Sequence, residues 1–215
     1  MRLVTSELVV SREILPGQWL QSFHAPELAS SARAGQFLHV RTGDYSGLVL
    51  RRPFSINTAD VATGVVTIHF RTIGRGTEWF TRLRPGDTID VLGPLGRPFE
   101  VDPRSHHLLL VAGGLGMAGV RFLADQAIRD GRQVTLLFGA AGARERGYNA
   151  SARIAQANES VARTIDEIAK EIDAGLVVCG QRGRGAIRSA LLGSVSHALA
   201  AHTKRPVLIA PQHPS

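Results

Sequence analysis

Apolar and polar positions follow two different patterns along this chain, and the change falls near residue 103. Before it, apolar runs separated by turn residues predict short β-strands at 7–15, 19–23, 37–41, 48–52, 65–70 and 88–92. Several short strands at this spacing are typical of an antiparallel barrel or sandwich. Residues 77–83 form a predicted short helix, with Thr77 as a suitable N-cap.

After residue 103 the apolar runs are those of buried strands and amphipathic helices. The run Leu108–Val111 has no polar alternation, as in a parallel sheet covered on both faces. It leads into Gly114-x-Gly116-x-x-Gly119, a helix that ends near Asp130, and a strand at 134–138. The pattern then predicts further elements: strands at 150–155, 175–179 and 206–210, a helix over 194–201 N-capped by Ser194, and a helix N-capped by Asn158 with Val161, Ile165, Ile168 and Ile172 at helical spacing. This order of elements predicts a parallel α/β domain.

The glycine-rich turn after the first of these strands predicts a nucleotide site. Glycines there allow a tight turn, and backbone N–H groups at the positive end of the following helix can bind a phosphate. The alternative is a glycine turn that only permits close packing of helix and strand. The next strand ends in Gly139-Ala140 rather than in an acidic residue that would bind a ribose, which argues against an ordinary NAD site.

Composition narrows the class of protein. The 215 residues suit one large or two small domains, and a hydrophobic content of 44% suits a soluble globular protein. No apolar run is long enough to span a bilayer, and the first residues lack a signal-peptide pattern, so we expect a cytoplasmic protein. The single cysteine, Cys179, excludes an internal disulfide, an iron–sulfur cluster or another multi-cysteine metal site within these residues.

The net charge of +7 comes from arginines scattered singly through turns. The chain has no Lys/Arg block and few aromatic residues, which argues against nucleic-acid binding. This pattern instead favours the binding of anionic cofactors or of an acidic partner subunit. No catalytic triad, paired carboxylates or metal-ligand spacing is evident, so no catalytic residue and no metal site is predicted. Cys179 lies in an apolar run and is expected to be an inert buried thiol. His106 and His107 are expected at the surface.

Three segments of the strand-rich part have candidate binding chemistry. Arg51-Arg52-Pro53-Phe54-Ser55-Ile56 has guanidinium groups that can bind a phosphate and backbone that can meet a flat ring. Gly74-Arg75-Gly76-Thr77 precedes the predicted helix and is a second candidate anion site. Gly93-Pro94-Leu95-Gly96-Arg97-Pro98-Phe99 is predicted as a stiff, turn-rich link to the next domain. Each segment taken alone is also compatible with ordinary turn chemistry.

In order and spacing, these segments make residues 1–140 resemble the ferredoxin–NADP reductase-like superfamily, most closely the electron-transfer subunits of dihydroorotate dehydrogenase. Further matching segments are Ala34-Gly35-Gln36-Phe37, Leu83-Arg84-Pro85-Gly86-Asp87 and Gly113-Gly114-Leu115-Gly116-Met117-Ala118. The resemblance implies a six-stranded antiparallel FAD-binding β-barrel over residues 1–103 and a nucleotide-binding α/β domain over residues 104–215. It implies flavin contacts from Arg52, Pro53, Phe54, Ser55, Gly74, Gly76 and Thr77. It implies NAD(P)H contacts from Gly113, Gly114 and Gly116.

Residues 147–211 resemble a different family, the C-terminal half of universal stress proteins. The resemblance is carried by Gly180-x2-Gly183-x9-Gly193-Ser194, and by the Val-Ser-His and Arg-Pro-Val-Leu segments that follow. It implies that ATP or AMP contacts Gly180, Gly183, Gly193, Ser194 and Ser196. Both families have a parallel sheet of strand order 3-2-1-4-5, so the chain is predicted to be a hybrid with a five-stranded, three-layer α/β domain. In that sheet the loop at 113–119 would lie next to the loop at 180–194.

Two functional hypotheses follow from the two resemblances. The first is a flavin-dependent oxidoreductase or electron-transfer module that moves reducing equivalents between a nicotinamide nucleotide and FAD, with a dehydrogenase-type partner subunit. In that case a hydride-site role for Cys179 is the alternative to an inert thiol. The second is a non-enzymatic ATP- or AMP-binding protein of the universal stress type, with a homodimer formed through 206–210. The chain departs from the reductase pattern in having Gly119 where a proline is usual and in lacking the cysteines of a [2Fe–2S] cluster.

Overall fold

The computed structural model describes residues 1–43, 50–139, 161–180 and 194–210. The chain divides into two compact units: the first contains residues 1–99 and 121–125, and the second contains the other described residues from Glu100 onward. The domain boundary expected between residues 103 and 104 is kept as a prediction. No helix within the described ranges has both the length and the apolar character needed to cross a membrane.

Six antiparallel strands close into a barrel in the first unit. Their bounds are β1 Arg2–Leu15, β2 Gln18–His24, β3 Phe37–Val40, β4 Arg52–Asp60, β5 Val65–Arg71 and β6 Thr88–Leu95. Their order around the barrel is β1-β2-β5-β4-β3-β6, and β6 pairs with β1 to close it. The predicted six-stranded antiparallel barrel is therefore confirmed.

Alternation of side chains gives each of these strands a buried face. On β5 the side chains of Val66, Ile68 and Phe70 are buried, and on β4 those of Phe54 and Ile56 are buried. Residues two apart in a strand share one face of the sheet. The apolar alternation seen in the sequence therefore becomes the barrel core.

The strand predicted at 48–52 is wrong at residues 50 and 51, and residues 48 and 49 lie outside the described residues. β4 begins only at Arg52 and contains the whole Arg52–Ile56 motif. The apolar run that suggested the earlier strand is not buried where the structure describes it, since Leu50 is 71% exposed. Pro53 fits within β4 because it pairs with His39 of β3, whereas β5 pairs with the later part of the strand.

Strand β6 is longer than predicted. It reaches Leu95, so Gly93-Pro94-Leu95 belongs to the barrel rather than to a link between domains. Leu95 pairs with Phe37 of β3, and Gly93 pairs with Arg2 of β1. A Cβ added at Gly93 would collide with the side chain of Leu38. Close packing against β3 therefore explains the glycine.

Two short helices accompany the barrel, α1 Pro26–Ala29 and α2 Arg75–Thr81. Helix α2 begins two residues earlier than predicted, so Thr77 is its third residue and not its N-cap. The Thr77 hydroxyl still closes the first turn, because it accepts hydrogen bonds from the backbone N–H of Ile73 at 3.0 Å and of Gly74 at 3.2 Å. Near the other end of α2, Phe80 is fully buried and stacks on Phe54 with 5.5 Å between ring centroids.

The second unit is a parallel sheet with helices. Its elements are β7 His107–Gly113, a 3-10 turn Gly114–Gly116, α3 Met117–Arg129, β8 Gln133–Gly139, α4 Val161–Glu171, β9 Leu176–Gly180, α5 Ser194–His202 and β10 Val207–Ala210. In the described residues the sheet has four strands in the order β10-β9-β7-β8. The sequence predicted five. The four strands keep their predicted neighbours, and the predicted strand at 150–155 lies outside the described residues.

Helices α4 and α5 share an apolar core with the sheet. The helical spacing read from the sequence is confirmed in α4, where Ile165 and Ile168 are buried and Ile172 packs against the core just beyond the last turn. Leu199 of α5 and Val177 of β9 belong to the same core and are almost fully buried. This packing fixes α4 and α5 against β9, the strand that ends at Gly180. The predicted cap Asn158 lies outside the described residues, whereas Ser194 is already the first residue of α5.

Asp166 of α4 is a largely buried carboxylate that is paired with Lys170. Its carboxylate lies 2.7 Å from Lys170 Nζ, and its side chain is only 14% exposed. Hydrogen bonds from Lys170 and Thr203 hold the pKa of Asp166 below its usual value of 3.8. The folded state therefore binds this proton less readily than the unfolded chain does. The resulting stabilisation is present above about pH 4 and is lost as the pH falls through the lower, folded pKa.

We expect the melting temperature of Asp166→Asn to fall less than that of the unmodified protein between about pH 4 and pH 3. Thermal unfolding followed by circular dichroism at a series of pH values measures this. Asp130→Asn, at an exposed position just after α3, is the matched control and should keep the full acid dependence. An Asp166→Asn profile parallel to that of the unmodified protein would contradict the assignment.

Candidate functional site

A notch lined by Arg52, Gly76 and Thr42 lies where β4 meets the start of α2. Gly76 is buried, and a Cβ added to it would lie 2.9 Å from Thr42 Oγ1 and 3.4 Å from Arg52 Nε. Any side chain at this position would therefore collide with the Thr42 hydroxyl. The backbone at Gly76 is bordered by a hydroxyl and a guanidinium group, which are both donors for an anionic oxygen.

The two adjacent arginines at the start of β4 differ in their surroundings. Arg51 donates to the Asp90 carboxylate at 2.9 Å, to the Asp90 carbonyl at 3.1 Å and to the His39 carbonyl at 3.4 Å. For Arg52 the described hydrogen bond is one of 3.3 Å to the Leu50 carbonyl, on an exposed stretch of chain. Arg51 therefore ties β4 to β6, and Arg52 is the arginine able to turn toward a ligand.

The rest of the Arg52–Ile56 motif is divided between the two faces of β4. Phe54 points into the core and contacts the rings of Phe80 and Phe70, at 5.5 and 5.4 Å between centroids. Pro53 and Ser55 are half-buried and lie on the opposite face by strand alternation. Phe54 can therefore contact a ligand only through its backbone. The side chains of Pro53 and Ser55 could contact a ring that lies outside the barrel.

The turn before α2 is ordered by Thr77 rather than by a cap residue. The Thr77 hydroxyl donates to the Gly74 carbonyl at 2.9 Å in addition to the two hydrogen bonds that it accepts. A Cβ added at Gly74 would meet no atom within 4 Å. Of the predicted flavin residues, the structure thus brings Arg52 and Gly76 together, and it leaves Gly74 beside open space.

In the second unit the glycine turn has the geometry that the sequence predicts. Gly113 is the last residue of β7, and Gly114 has φ +51°, a left-handed conformation that favours glycine. Gly116 directly precedes α3, whose first turn contains no acidic residue. A Cβ at Gly114 or at Gly116 would have no neighbour within 4 Å. The start of this 13-residue helix therefore has open space beside its backbone N–H groups and no competing negative charge in its own first turn.

The ends of β7 and β9 lie side by side at one edge of the sheet. The two strands are parallel neighbours, with Val111 opposite Cys179. The carboxyl ends of β7, at Gly113, and of β9, at Gly180, therefore lie at the same edge of the sheet. Residues 181–193 lie outside the described residues, so the expected place of the loop at 180–194 next to the loop at 113–119 stays a prediction. Gly183 and Gly193 lie outside the described residues, and nucleotide contact by Gly180, Ser194 and Ser196 stays a prediction.

Ser196 and Cys179 contact each other within the core of the second unit. Ser196 and Cys179 are each 3% exposed, and the Ser196 hydroxyl hydrogen-bonds to the thiol. Burial raises the pKa of Cys179, and the hydrogen bond with Ser196 lowers it by less. The thiol is therefore largely protonated at neutral pH, which favours the inert interpretation over a reactive one.

We expect Cys179 to react with a soluble disulfide reagent at least about tenfold more slowly in the native protein than after unfolding in guanidinium chloride. Release of the coloured thiolate from 5,5′-dithiobis(2-nitrobenzoate) measures both rates. Cys179→Ser is the blank, since this chain has one cysteine. Rapid stoichiometric labelling of the native protein would instead support a reactive thiol.

The two histidines before β7 have different surroundings. His106 is exposed, as predicted. His107 is the first residue of β7, is half-buried and lies 2.8 Å from the Thr135 hydroxyl of β8, so it is only partly at the surface. Within the described ranges, no three His, Cys, Asp or Glu side chains converge as metal ligands.

Sequence reasoning missed Thr42 and Asp90. Thr42 follows β3 and reaches Gly76, 34 positions later in the chain, so no local motif contains both. Asp90 lies on β6, where its carboxylate pairs with Arg51 and, at 3.6 Å, with Arg41. In both cases the pairing arises from the closing of the barrel, which no short sequence pattern records.

The sequence profile of Usp, the Universal stress protein family, matches residues 107–211 of this chain, just under half of its length. The C-terminal part is therefore similar to universal stress proteins, as the sequence motifs predicted. The match begins earlier than residue 147 and includes β7, α3 and β8.

The chain is also similar to curated electron-transfer proteins. "Dihydroorotate dehydrogenase B (NAD(+)), electron transfer subunit" of Desulforamulus reducens is 38% identical over 127 residues, which cover 59% of this chain and 48% of that protein. The protein of the same name from Bacillus caldolyticus is 35% identical over 144 residues, which cover 65% and 53%. This chain spans about half the length of these relatives. A match of 144 residues is longer than the part of the chain outside 107–211, so the two similarities overlap.

Solved structures share the fold of nearly the whole chain. Phthalate dioxygenase reductase has a TM-score of 0.68 at 19% identity, over 97% of this chain and 68% of its own. A ferredoxin NADP+ reductase from Neisseria gonorrhoeae, with bound FAD and NADP, has a TM-score of 0.66 at 14% identity, over 98% of this chain and 99% of its own. At these identities the likeness concerns the fold alone. It confirms the predicted reductase-like fold.

Proposed function

We propose that this chain is a flavin-dependent electron-transfer module that moves reducing equivalents between a nicotinamide nucleotide and FAD. The observation that carries the proposal is the notch at Gly76, which is bordered by the guanidinium of Arg52 and the hydroxyl of Thr42. The similarity to electron-transfer subunits of dihydroorotate dehydrogenase B supports it, because that similarity covers more than half of the chain.

The residues of the barrel fit a flavin nucleotide in two respects. The Gly76 notch is a cradle that a single Cβ would fill, and the Thr42 hydroxyl beside it is fully buried. In this proposal Arg52 binds a phosphate, while Pro53 and Ser55 lie along the ring on the outer face of β4. The turn at Gly74 and Thr77 keeps the chain close to the phosphate. The bound flavin would supply the redox chemistry, taking up hydride equivalents and passing electrons on singly.

The glycine turn of the second unit would bind the second nucleotide. Gly113, Gly114 and Gly116 leave room for a phosphate at the start of α3, where backbone N–H groups and the helix dipole favour negative charge. The neighbouring β9 end at Gly180 borders the same sheet edge. A nicotinamide nucleotide there would be the electron donor to the flavin.

A dehydrogenase-type partner subunit completes the proposal. The names of these relatives describe electron-transfer subunits of a dehydrogenase. These 215 residues contain one cysteine and so cannot supply the thiolates that a [2Fe–2S] cluster requires. Electrons would therefore pass from the flavin to a group held outside these residues. The net charge of +7 favours an acidic partner surface.

Visible absorbance of the purified protein tests the proposal. After incubation with FAD and removal of free flavin, we expect the bound-flavin bands to remain with the protein. Anaerobic addition of NADH or NADPH should then bleach them. Protein that stays colourless after incubation with FAD would overturn the proposal. If the melting temperature then rose with ATP or AMP, the similarity to universal stress proteins would become the guide to function.

A further inference from the structure

Thr42 has a buried hydroxyl that the barrel itself does not use. The residue is fully buried, and within the part of the chain that the structure describes Thr42 Oγ1 has no hydrogen-bond partner. Burying a hydroxyl without a partner costs free energy, so native proteins pair nearly all such groups. A hydroxyl left in this state beside a candidate binding site points to a partner that is not part of the chain.

Other polar side chains of these strands and of α2 have partners of their own. Arg51 is held by Asp90, and Arg41 lies 3.6 Å from the same carboxylate. The Thr77 hydroxyl bonds to the backbone at Gly74. None of these groups needs the Thr42 hydroxyl to complete its hydrogen bonding.

The position of Thr42 limits what its partner can be. The Cβ that Gly76 lacks would lie 2.9 Å from Thr42 Oγ1 and 3.4 Å from Arg52 Nε, so both donors border the Gly76 backbone. A ligand oxygen that enters between these two donors would accept from a hydroxyl and from a guanidinium at once. Two donors, one of them cationic, suit an anionic oxygen better than a neutral hydroxyl.

We propose that the Thr42 hydroxyl donates a hydrogen bond to a phosphate oxygen of the bound flavin nucleotide, beside Arg52. It thereby favours phosphorylated flavins over riboflavin. The inference rests on the proposed function and deepens it by assigning a residue and a ligand chemistry to the notch. The Arg52 side chain is the flexible neighbour here, held by one long hydrogen bond to the Leu50 carbonyl. In the proposed complex its guanidinium turns to the phosphate.

The test compares Thr42→Val, Thr42→Ser and the unmodified protein in titrations with FAD, FMN and riboflavin, followed by flavin fluorescence. Valine keeps the shape of threonine without the hydroxyl, and serine keeps the hydroxyl. We expect Thr42→Val to bind FAD and FMN roughly tenfold more weakly and riboflavin unchanged, because a hydrogen bond to a charged group is lost. Thr42→Ser should stay within about threefold of the unmodified protein for all three ligands.

Thermal unfolding without ligand separates binding from a structural role. Because the hydroxyl has no described partner, Thr42→Val should melt at the same temperature as the unmodified protein or higher. FAD should then raise its melting temperature less. A lower melting temperature for Thr42→Val with unchanged FAD affinity would overturn the inference, as would an equal loss of riboflavin binding. Should Thr42→Val not fold, Thr42→Ala is titrated in its place, with the same expected loss for FAD and FMN.

The outcomes also separate this inference from the function on which it rests. If the unmodified protein binds no flavin, the proposed function fails before Thr42 is tested. If the unmodified protein binds FAD and Thr42→Val binds it equally well, only the role of Thr42 fails.

Discussion

Replacing Arg52 by alanine should weaken FAD binding by roughly tenfold to a hundredfold, because a charge-assisted hydrogen bond to phosphate is lost. The barrel should remain folded, since the hydrogen bond described for Arg52 is a long one to the Leu50 carbonyl. Equilibrium titration of the variant with FAD measures the affinity, and its melting temperature without ligand verifies the fold. Arg52→Lys should recover part of the loss, because lysine keeps the charge but not the planar fork.

Arg51, which precedes Arg52, is expected to stabilise the fold rather than to bind FAD. Arg51→Ala should lower the melting temperature without ligand, because Arg51 ties β4 to Asp90 on β6. Arg84→Ala, at an exposed position in the turn before β6, is the control for loss of one positive charge. Equal loss of FAD affinity in Arg52→Ala and Arg84→Ala would reduce the role of Arg52 to general electrostatics and would argue against the notch as the phosphate site.

Replacing Phe80 by alanine should cost about 3–5 kcal/mol of unfolding free energy, the usual range for a buried aromatic residue. Phe80 is fully buried, and its ring lies 5.5 Å from that of Phe54 and 5.6 Å from that of Phe70. The Gln21 side chain also donates to the Phe80 carbonyl at 2.7 Å. Because Phe80 anchors α2 to the barrel, its loss should loosen the turn at Gly74–Thr77 and weaken FAD binding as well. Urea unfolding followed by tryptophan fluorescence measures the first effect.

Two variants make this prediction specific. Phe80→Leu keeps most of the buried volume and should cost less than half of the alanine effect. Ile73→Ala, at a residue that is 63% exposed just before α2, should change the unfolding free energy little. A small effect of Phe80→Ala, similar to that of Ile73→Ala, would mean that the barrel core does not depend on α2.

The barrel and the parallel sheet could be predicted because their signals are local. Alternation along 65–70 gives a strand with one buried face whatever lies beside it, and the apolar run at 108–111 gives a strand covered on both sides. The bounds of the strands were harder to predict. β4 begins only at Arg52, although a strand was predicted at 48–52, because its pairing follows the burial of Phe54 and Ile56 rather than local hydrophobicity.

The candidate site, too, could be predicted from the sequence only in part. Arg52 and Gly76 were identified from short motifs, whose residues are neighbours in the chain and so keep a recognisable pattern. The partners of Arg51 and Ser196 and the position of Thr42 beside Gly76 were not, because each depends on a distant segment. Which of two adjacent arginines is committed to the barrel depends on Asp90, 39 positions after Arg51. Whether a hydroxyl is satisfied depends on every group that folding brings near it.

The chain's own residues thus specify its strands, its glycine turns and the families it resembles, since these depend on residue spacing alone. Three-dimensional packing alone assigns Arg51 to the scaffold and Arg52 to the notch. It also buries Ser196 against Cys179 and leaves the Thr42 hydroxyl beside Gly76. The physical reason is that hydrogen bonding and burial are properties of pairs, and the second member of each pair lies far along the chain.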